Sequence, residues 1–198
     1  MRKIFLTALT IMLGMTLTSC ALFETRIEQF DQAWTGVRAT MYTYAFDGTP
    51  MDRVKGTSFR VARDKKFDET TVSGDVKKGS VIMISLGKDH ISHVGSTLVL
   101  EQDGLERLAG GDEKIDVTNT NPGIPWLNDL VENWRNNTRG KAKIVFIKSQ
   151  SSVPIAVYAG DHVEIMATDI PNSTWFRIDG KYLFVYRCEF TVYDAKLL

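Results

Sequence analysis

Two cysteines, three histidines and six tyrosines are the side chains in this chain whose chemistry could reach beyond packing. His90 and His93 form an H-x-x-H pair, but they lie in DHISHVGSTLVL, which has the composition of a strand. On a strand, residues three apart point to opposite faces, so the two cannot share a metal without a bulge. His162, in GDHVE beside Asp161 and Glu164, follows a glycine turn and reads as solvated. Tyr42, Tyr44, Tyr158, Tyr182, Tyr186 and Tyr193 fall on strand-like stretches. There they could line a sugar or peptide groove, or pack across strands as tyrosine commonly does. Cys188, in FVYRCEF, reads as a small core residue, because a reactive thiol needs a base and partial exposure. The chain has no G-x-S-x-G elbow, no H-E-x-x-H, no P-loop and no dinucleotide fingerprint. The sequence therefore predicts no catalytic residue, no metal and no cofactor.

Cys20 sits in a different setting. Arg2 and Lys3 form a positive start, Ile4 to Leu17 is apolar and uncharged, and Thr18-Ser19 precede the cysteine. Crossing a bilayer takes about 20 apolar residues, so this run is too short for a comfortable span and reads as an export signal. Leu17-Thr18-Ser19-Cys20 resembles the lipobox of bacterial lipoproteins, in which a diacylglycerol joins the cysteine sulfur and cleavage falls between Ser19 and Cys20. The alternatives are an ordinary secretory signal or uncleaved anchor with an incidental cysteine, or a Cys20–Cys188 bridge, which would exclude lipidation. With Cys20 acylated, Cys188 has no thiol to pair with, and the exported domain must fold on packing alone. Lys+Arg and Asp+Glu both count 24. That balance offers no field to attract nucleic acid, and Lys65-Lys66 and Lys77-Lys78 fall far short of a basic stripe.

These residues must be positioned by two kinds of element. Phe23, Ile27, Phe30 and Trp34 recur at helical spacing and predict an amphipathic helix over 20–35, stopped at Gly36. Pro125 followed by Trp126, Leu127, Leu130, Val131 and Trp134 predicts a second, connecting helix ending at Gly140. It should bridge or cover a sheet, or offer tryptophans to a partner. Elsewhere the pattern is that of strands. Val37 to Phe46 ends in the hairpin signal Asp47-Gly48, Arg53 to Ala62 resumes, Val81 to Leu86 leads into Gly87-Lys88, and Ile91 to Glu101 closes the set. The charged stretch Arg63 to Lys78 reads as a long loop.

The strand region repeats. Setting Gly36 on Gly140 also brings Pro50 onto Pro154 and Gly56 onto Gly160. A slightly shorter displacement sets Gly87-Lys88 on Gly180-Lys181, which places Cys188 opposite Gly95. The expected fold is mainly β: two related four-stranded antiparallel units, 36–102 and 140–198, forming a sandwich or partly closed barrel. An N-terminal helix precedes them, and a linker with one helix, 103–139, joins them.

GVRATMYTYAFDGTPMDRVKGTSFRV and STWFRIDGKYLFVYRCEFTVYDAKLL, with the lipobox, resemble an uncharacterised family of small lipoproteins from Gram-positive bacteria and their mobile elements. The shared features are Cys20, Asp47-Gly48, Tyr158-Ala159-Gly160 and Ile178-Asp179-Gly180-Lys181. The resemblance brings no catalytic or binding residue with it. The sequence thus predicts a signal peptide over 1–19 and an extracytoplasmic chain held on the outer face of a membrane by lipid on Cys20, in the outer membrane if the host is Gram-negative. Its expected role is that of a non-catalytic interaction or envelope-associated module, with another envelope protein as a partner. The alternatives are a small-ligand or glycan binder and a mobile-element exclusion or immunity lipoprotein.

Overall fold

The structure is a computed structural model that describes residues 34–117, 125–137 and 142–198. The first half forms β1 (Arg38–Tyr44), β2 (Pro50–Thr57), β3 (Phe59–Arg63), β4 (Glu69–Thr70), β5 (Val76–Lys77), β6 (Ile82–Leu86), β7 (Asp89–His93) and β8 (Thr97–Gln102). A short β9 (Arg107–Gly110) and one helix, α1 (Trp126–Asn137), follow. The second half forms β10 (Lys143–Lys148), β11 (Pro154–Gly160), β12 (Val163–Ala167), β13 (Ser173–Ile178), β14 (Lys181–Tyr186) and β15 (Glu189–Asp194).

Local chemistry explains the first hairpin. RATMYTY alternates β-branched and aromatic residues that suit a pleated surface. Its turn closes as Ala45 N–H donates to Thr49 O at 2.9 Å and Gly48 N–H to Ala45 O at 3.0 Å. Gly48 takes φ 78°, a conformation that glycine reaches without a Cβ penalty. The Asp47 carboxylate accepts from the Thr49 N–H at 3.1 Å.

Three sheets and the helix stack as layers. The middle layer is six-stranded, in the order β12-β13-β14-β8-β1-β2. One of its faces carries Met41, Leu98, Leu100, Trp175 and Phe184, packed against Phe59, Val61, Ile82 and Ile84 of the three-stranded sheet β3-β6-β7. The opposite face carries Tyr42, Tyr44, Val99, Leu183 and Val185, packed against Val145, Ile147, Ala156 and Tyr158 of the four-stranded sheet β15-β10-β11-β9. Being covered on both faces, β1, β8 and β14 read as nearly unbroken buried runs. α1 lies on the far side of the four-stranded sheet, with Val131 buried against Ile144, Val157 and Ala159.

The fold is mainly β and its sheets are open, so it is not a closed barrel. Nor do the halves form two separate four-stranded units. Each contributes a set of six strands, because what read as single strands are broken by residues with positive φ. Ser58 (φ 62°) divides β2 from β3, and Gly95 (φ 94°) divides β7 from β8. Arg187 (φ 52°) divides β14 from β15. The stretch 63–78 also carries structure of its own, in a 3-10 turn (Lys65–Phe67) and the β4-β5 hairpin.

The pairing pattern of one set nevertheless recurs in the other. β1 pairs with β2 and β8, as β10 pairs with β11 and β15; β6 pairs with β3 and β7, as β13 pairs with β12 and β14. Even the irregularity at Thr43/Tyr44 recurs at Ile147/Lys148. Phe59↔Leu86 corresponds to Val163↔Ile178, so Gly87 matches Asp179 and Lys88 matches Gly180. The Gly-Lys identity is therefore one residue out of step, and Gly95 corresponds to Arg187, not to Cys188. Both residues have positive φ. Gly56 and Gly160 share a packing role, since a Cβ would overlap Leu86 in one set and Ile178 in the other.

The predicted helix over 20–35 lies almost wholly outside the described residues. Its last aromatic, Trp34, is fully buried in the core beneath the three-stranded sheet.

Candidate functional site

Glu101 is a charge at the end of the buried strand TLVLEQ, on the side that faces the four-stranded sheet. Ladder pairing fixes its backbone, opposite Thr40 on β1 and Leu183 on β14. The turn after β8 returns the chain as β9, which brings Arg107 back to it. Arg107 Nη1 donates to Glu101 Oε1 at 2.7 Å, and the Tyr158 hydroxyl donates to Oε2 at 2.6 Å. The Arg107 guanidinium carbon lies 5.3 Å from the centre of the Tyr42 ring, within cation–π range. Beside it, Tyr44 OH donates to Gly111 O at 3.2 Å. Gly111 (φ 100°) is required here, because a Cβ would press on the guanidinium.

The site is largely dry: the Glu101 side chain is 13% exposed and that of Arg107 27%. Burial pushes the Glu101 carboxyl up, against the pull of the Tyr158 hydroxyl and the Arg107 charge. Burial works against the Arg107 charge too, but hydrogen bonding with Tyr42 and the Glu101 charge outweigh it and hold the guanidinium protonated. Burial also drives the Tyr158 hydroxyl far up, so it stays a proton donor. Each carboxylate oxygen already has a donor. The cluster ties the middle sheet to β9 and β11, and a buried pair of this kind is costly to break from one side.

A cleft of about 500 Å³ opens beside Arg107, walled by Ala109, Asp112 and Lys114 on one side and by Trp126 and Leu130 of α1 on the other. Asp112 is paired with Arg53, and Lys114 reaches Asp47 at 3.2 Å. Two charges of the rim, Asp112 and Lys114, are thus already engaged within the chain.

The residues singled out in the sequence are scattered. Ser19 and Cys20 lie outside the described residues. Cys188 is half-buried, and its thiol points to Tyr186 O at 3.5 Å and Leu98 O at 3.7 Å. Burial raises its pKa well above the ordinary thiol value, so the thiolate is suppressed. His90 is exposed, with Nδ1 3.0 Å from Ser85 Oγ. His93 Nε2 sits 3.0 Å from Ser96 O, and its ring meets Tyr186 edge-on. His162 is 90% exposed. Tyr42, Tyr44, Tyr158 and Tyr186 are core residues, while Tyr182 and Tyr193 are half-buried. Glu101 and Arg107 were not singled out. The available signal was a carboxylate directly after the apolar run Leu98-Val99-Leu100 on the same strand.

The comparisons bear on the whole chain. A family described as a domain of unknown function, DUF5052, matches residues 2–198. The chain belongs to this family. The match takes in the apolar run 4–17 and Cys20 as well as both strand sets. No curated protein and no solved structure matches.

Proposed function

We propose that this member of the family is an extracytoplasmic lipoprotein, anchored by lipid on Cys20 and acting as a non-catalytic interaction module at the envelope. The observation that carries the reading is LTSC directly after a positively charged start and a short apolar run. Among the described residues no helix is long and apolar enough to cross a membrane, and a lipid anchor needs none. The arrangement of the polar cluster supports a role without chemistry, since Glu101, Arg107 and Tyr158 satisfy one another between sheets. Two or more acyl chains give stable membrane attachment where one is marginal. The test is the intact mass of the chain extracted from membranes. A mature chain that begins at Cys20 and carries added acyl mass is expected. An unmodified cysteine, or a retained leader, overturns the reading.

One observation favours a second reading, a small-ligand binder. The cleft beside Arg107 sets the Trp126 ring against charged residues of the segment after β9. Titration of candidate sugars and peptides against Trp126 fluorescence tests it, with Trp126→Phe as the control.

A further inference from the structure

Besides packing face to face, the two strand sets are joined among the described residues by one hydrogen-bonded junction, in which β14 of the second set pairs with β8 of the first. Its register is Leu183↔Glu101, Phe184↔Leu100, Val185↔Val99 and Tyr186↔Leu98. Because the sets repeat, each junction strand has a counterpart. The counterpart of β14 is β7, and that of β8 is β15. Among the described residues, no strand pairs with the outer edge of either one. Transferring the register residue by residue gives Ile91↔Tyr193, Ser92↔Val192, His93↔Thr191 and Val94↔Phe190. Val94 is 56% exposed and Phe190 is 37% exposed, a large apolar pair at one end of the ladder that would form. β7 and β15 belong to different sheets and are different surfaces, so pairing between copies is head-to-tail, which builds a ring where the rotation closes and an open array where it does not.

The faces next to these edges correspond as well. Thr40, Tyr42 and Tyr44 of β1 face the second set, and their counterparts on β10 are Ile144, Phe146 and Lys148. Ile144 and Phe146 lie under α1, against Val131 and Trp126. The helix therefore covers on the second set the face that the second set covers on the first. In tandem arrays a terminal element with a polar outer side ends the stack in this way. α1 fits that role, with Trp126, Leu127, Leu130 and Val131 against the sheet while Pro125, Glu132 and Asn133 are exposed.

We infer that the outer face of the four-stranded sheet, with the β7 and β15 edges, is a self-association surface for a second copy of this chain, and that α1 is the cap that closes it. This names a partner for the interaction module proposed above. It does not depend on the anchor, because the readout below is the same whether or not Cys20 carries lipid.

The test mixes full chains in detergent, one carrying Val94→Cys and the other Phe190→Cys, under mild oxidation, with the parent chain as the control for Cys20 and Cys188. With α1 docked, no specific cross-link is expected. Adding Val131→Asp to both chains to undock the helix is expected to give the mixed 94–190 disulfide. The same undocked background without introduced thiols should sediment as multiples of the mass of the single docked chain. The half-buried pair Leu127→Ser with Leu130→Ser offers a milder undocking, read in the same way should Val131→Asp unfold the domain. An undocked chain that keeps its β-sheet spectrum yet stays single overturns the surface, as does one that links 94 to 94. Equal cross-linking with the helix docked overturns the capping role.

Discussion

Replacing Arg107 by methionine keeps an unbranched, though shorter, side chain and removes the charge, which leaves Glu101 buried with only the Tyr158 and Tyr42 hydroxyls beside it. Removing one partner of a buried pair typically costs about 3–5 kcal/mol. Glu101 and Arg107 retain 13% and 27% of their side-chain exposure, so the lower end, about 3 kcal/mol, is expected at pH 7. The cost is electrostatic and therefore depends on pH. The Glu101 carboxyl is already raised in the folded chain, chiefly by burial, and loss of Arg107 raises it further. An acid raised on folding is stabilising in its protonated form; that contribution is complete below its unfolded pKa and is lost as pH rises through the folded value. The deficit of Arg107→Met relative to the parent should therefore be largest at neutral pH and shrink on acidification toward the unfolded Glu value, near pH 4. Carboxylates held down by partners, such as Asp68, Glu189 and Asp194, lose stability in acid in both proteins and cancel in the difference. Equilibrium urea unfolding followed by tryptophan fluorescence from pH 4 to 8 measures this. Glu101→Gln added to Arg107→Met should recover most of the loss at pH 7. A deficit below about 1 kcal/mol, or one that does not change with pH, would refute the view of the cluster as a buried charge clamp.

Other outcomes follow from the same geometry. The Cys188 thiol should react with a thiol reagent orders of magnitude more slowly in the folded chain than in urea; equal rates would show that it is exposed. Gly160→Ala should destabilise by about 1–3 kcal/mol, because the added methyl overlaps Ile178 Cγ2 in the core, and Gly56→Ala by less, because its methyl meets the flexible end of half-buried Leu86. Parallel urea titrations check the pair, and a neutral result at Gly160 would break the equivalence of the two sets. Ser58→Gly and Arg187→Gly relieve the left-handed backbone but remove the Gly36 N–H to Ser58 Oγ bond and the Arg187–Gln150 bonds, so each should destabilise by no more than about 1 kcal/mol, whereas Ser58→Val, which keeps the strain and loses the bond, should cost more than that.

Much of the strand content and the repeat could be read from the sequence, because alternation, Asp47-Gly48 and the recurring Pro and Gly positions are local signals. The strand count could not. Ser58 and Arg187 adopt positive φ without being glycine, so two sharp breaks carried no mark, and Gly95 looked like an interruption within one strand. The Gly-Lys identity misled by one residue, since Gly87 and Asp179, not the two glycines, hold the same turn position. Sheet membership was hidden for a different reason. Which edge β14 chooses depends on the free edge of β8, more than 80 positions earlier, and no local pattern records that. The Glu101–Arg107–Tyr158 cluster is nonlocal in the same way: Tyr158 comes from the other strand set.

The account turns on Cys20. The decisive measurement is metabolic labelling with a fatty-acid analogue, followed by membrane fractionation, of the parent chain and Cys20→Ala. Label on the parent that is lost from Cys20→Ala, together with release or mislocalisation of the variant, is the predicted result. A Cys20→Ala chain that remains equally labelled and membrane-bound would contradict it.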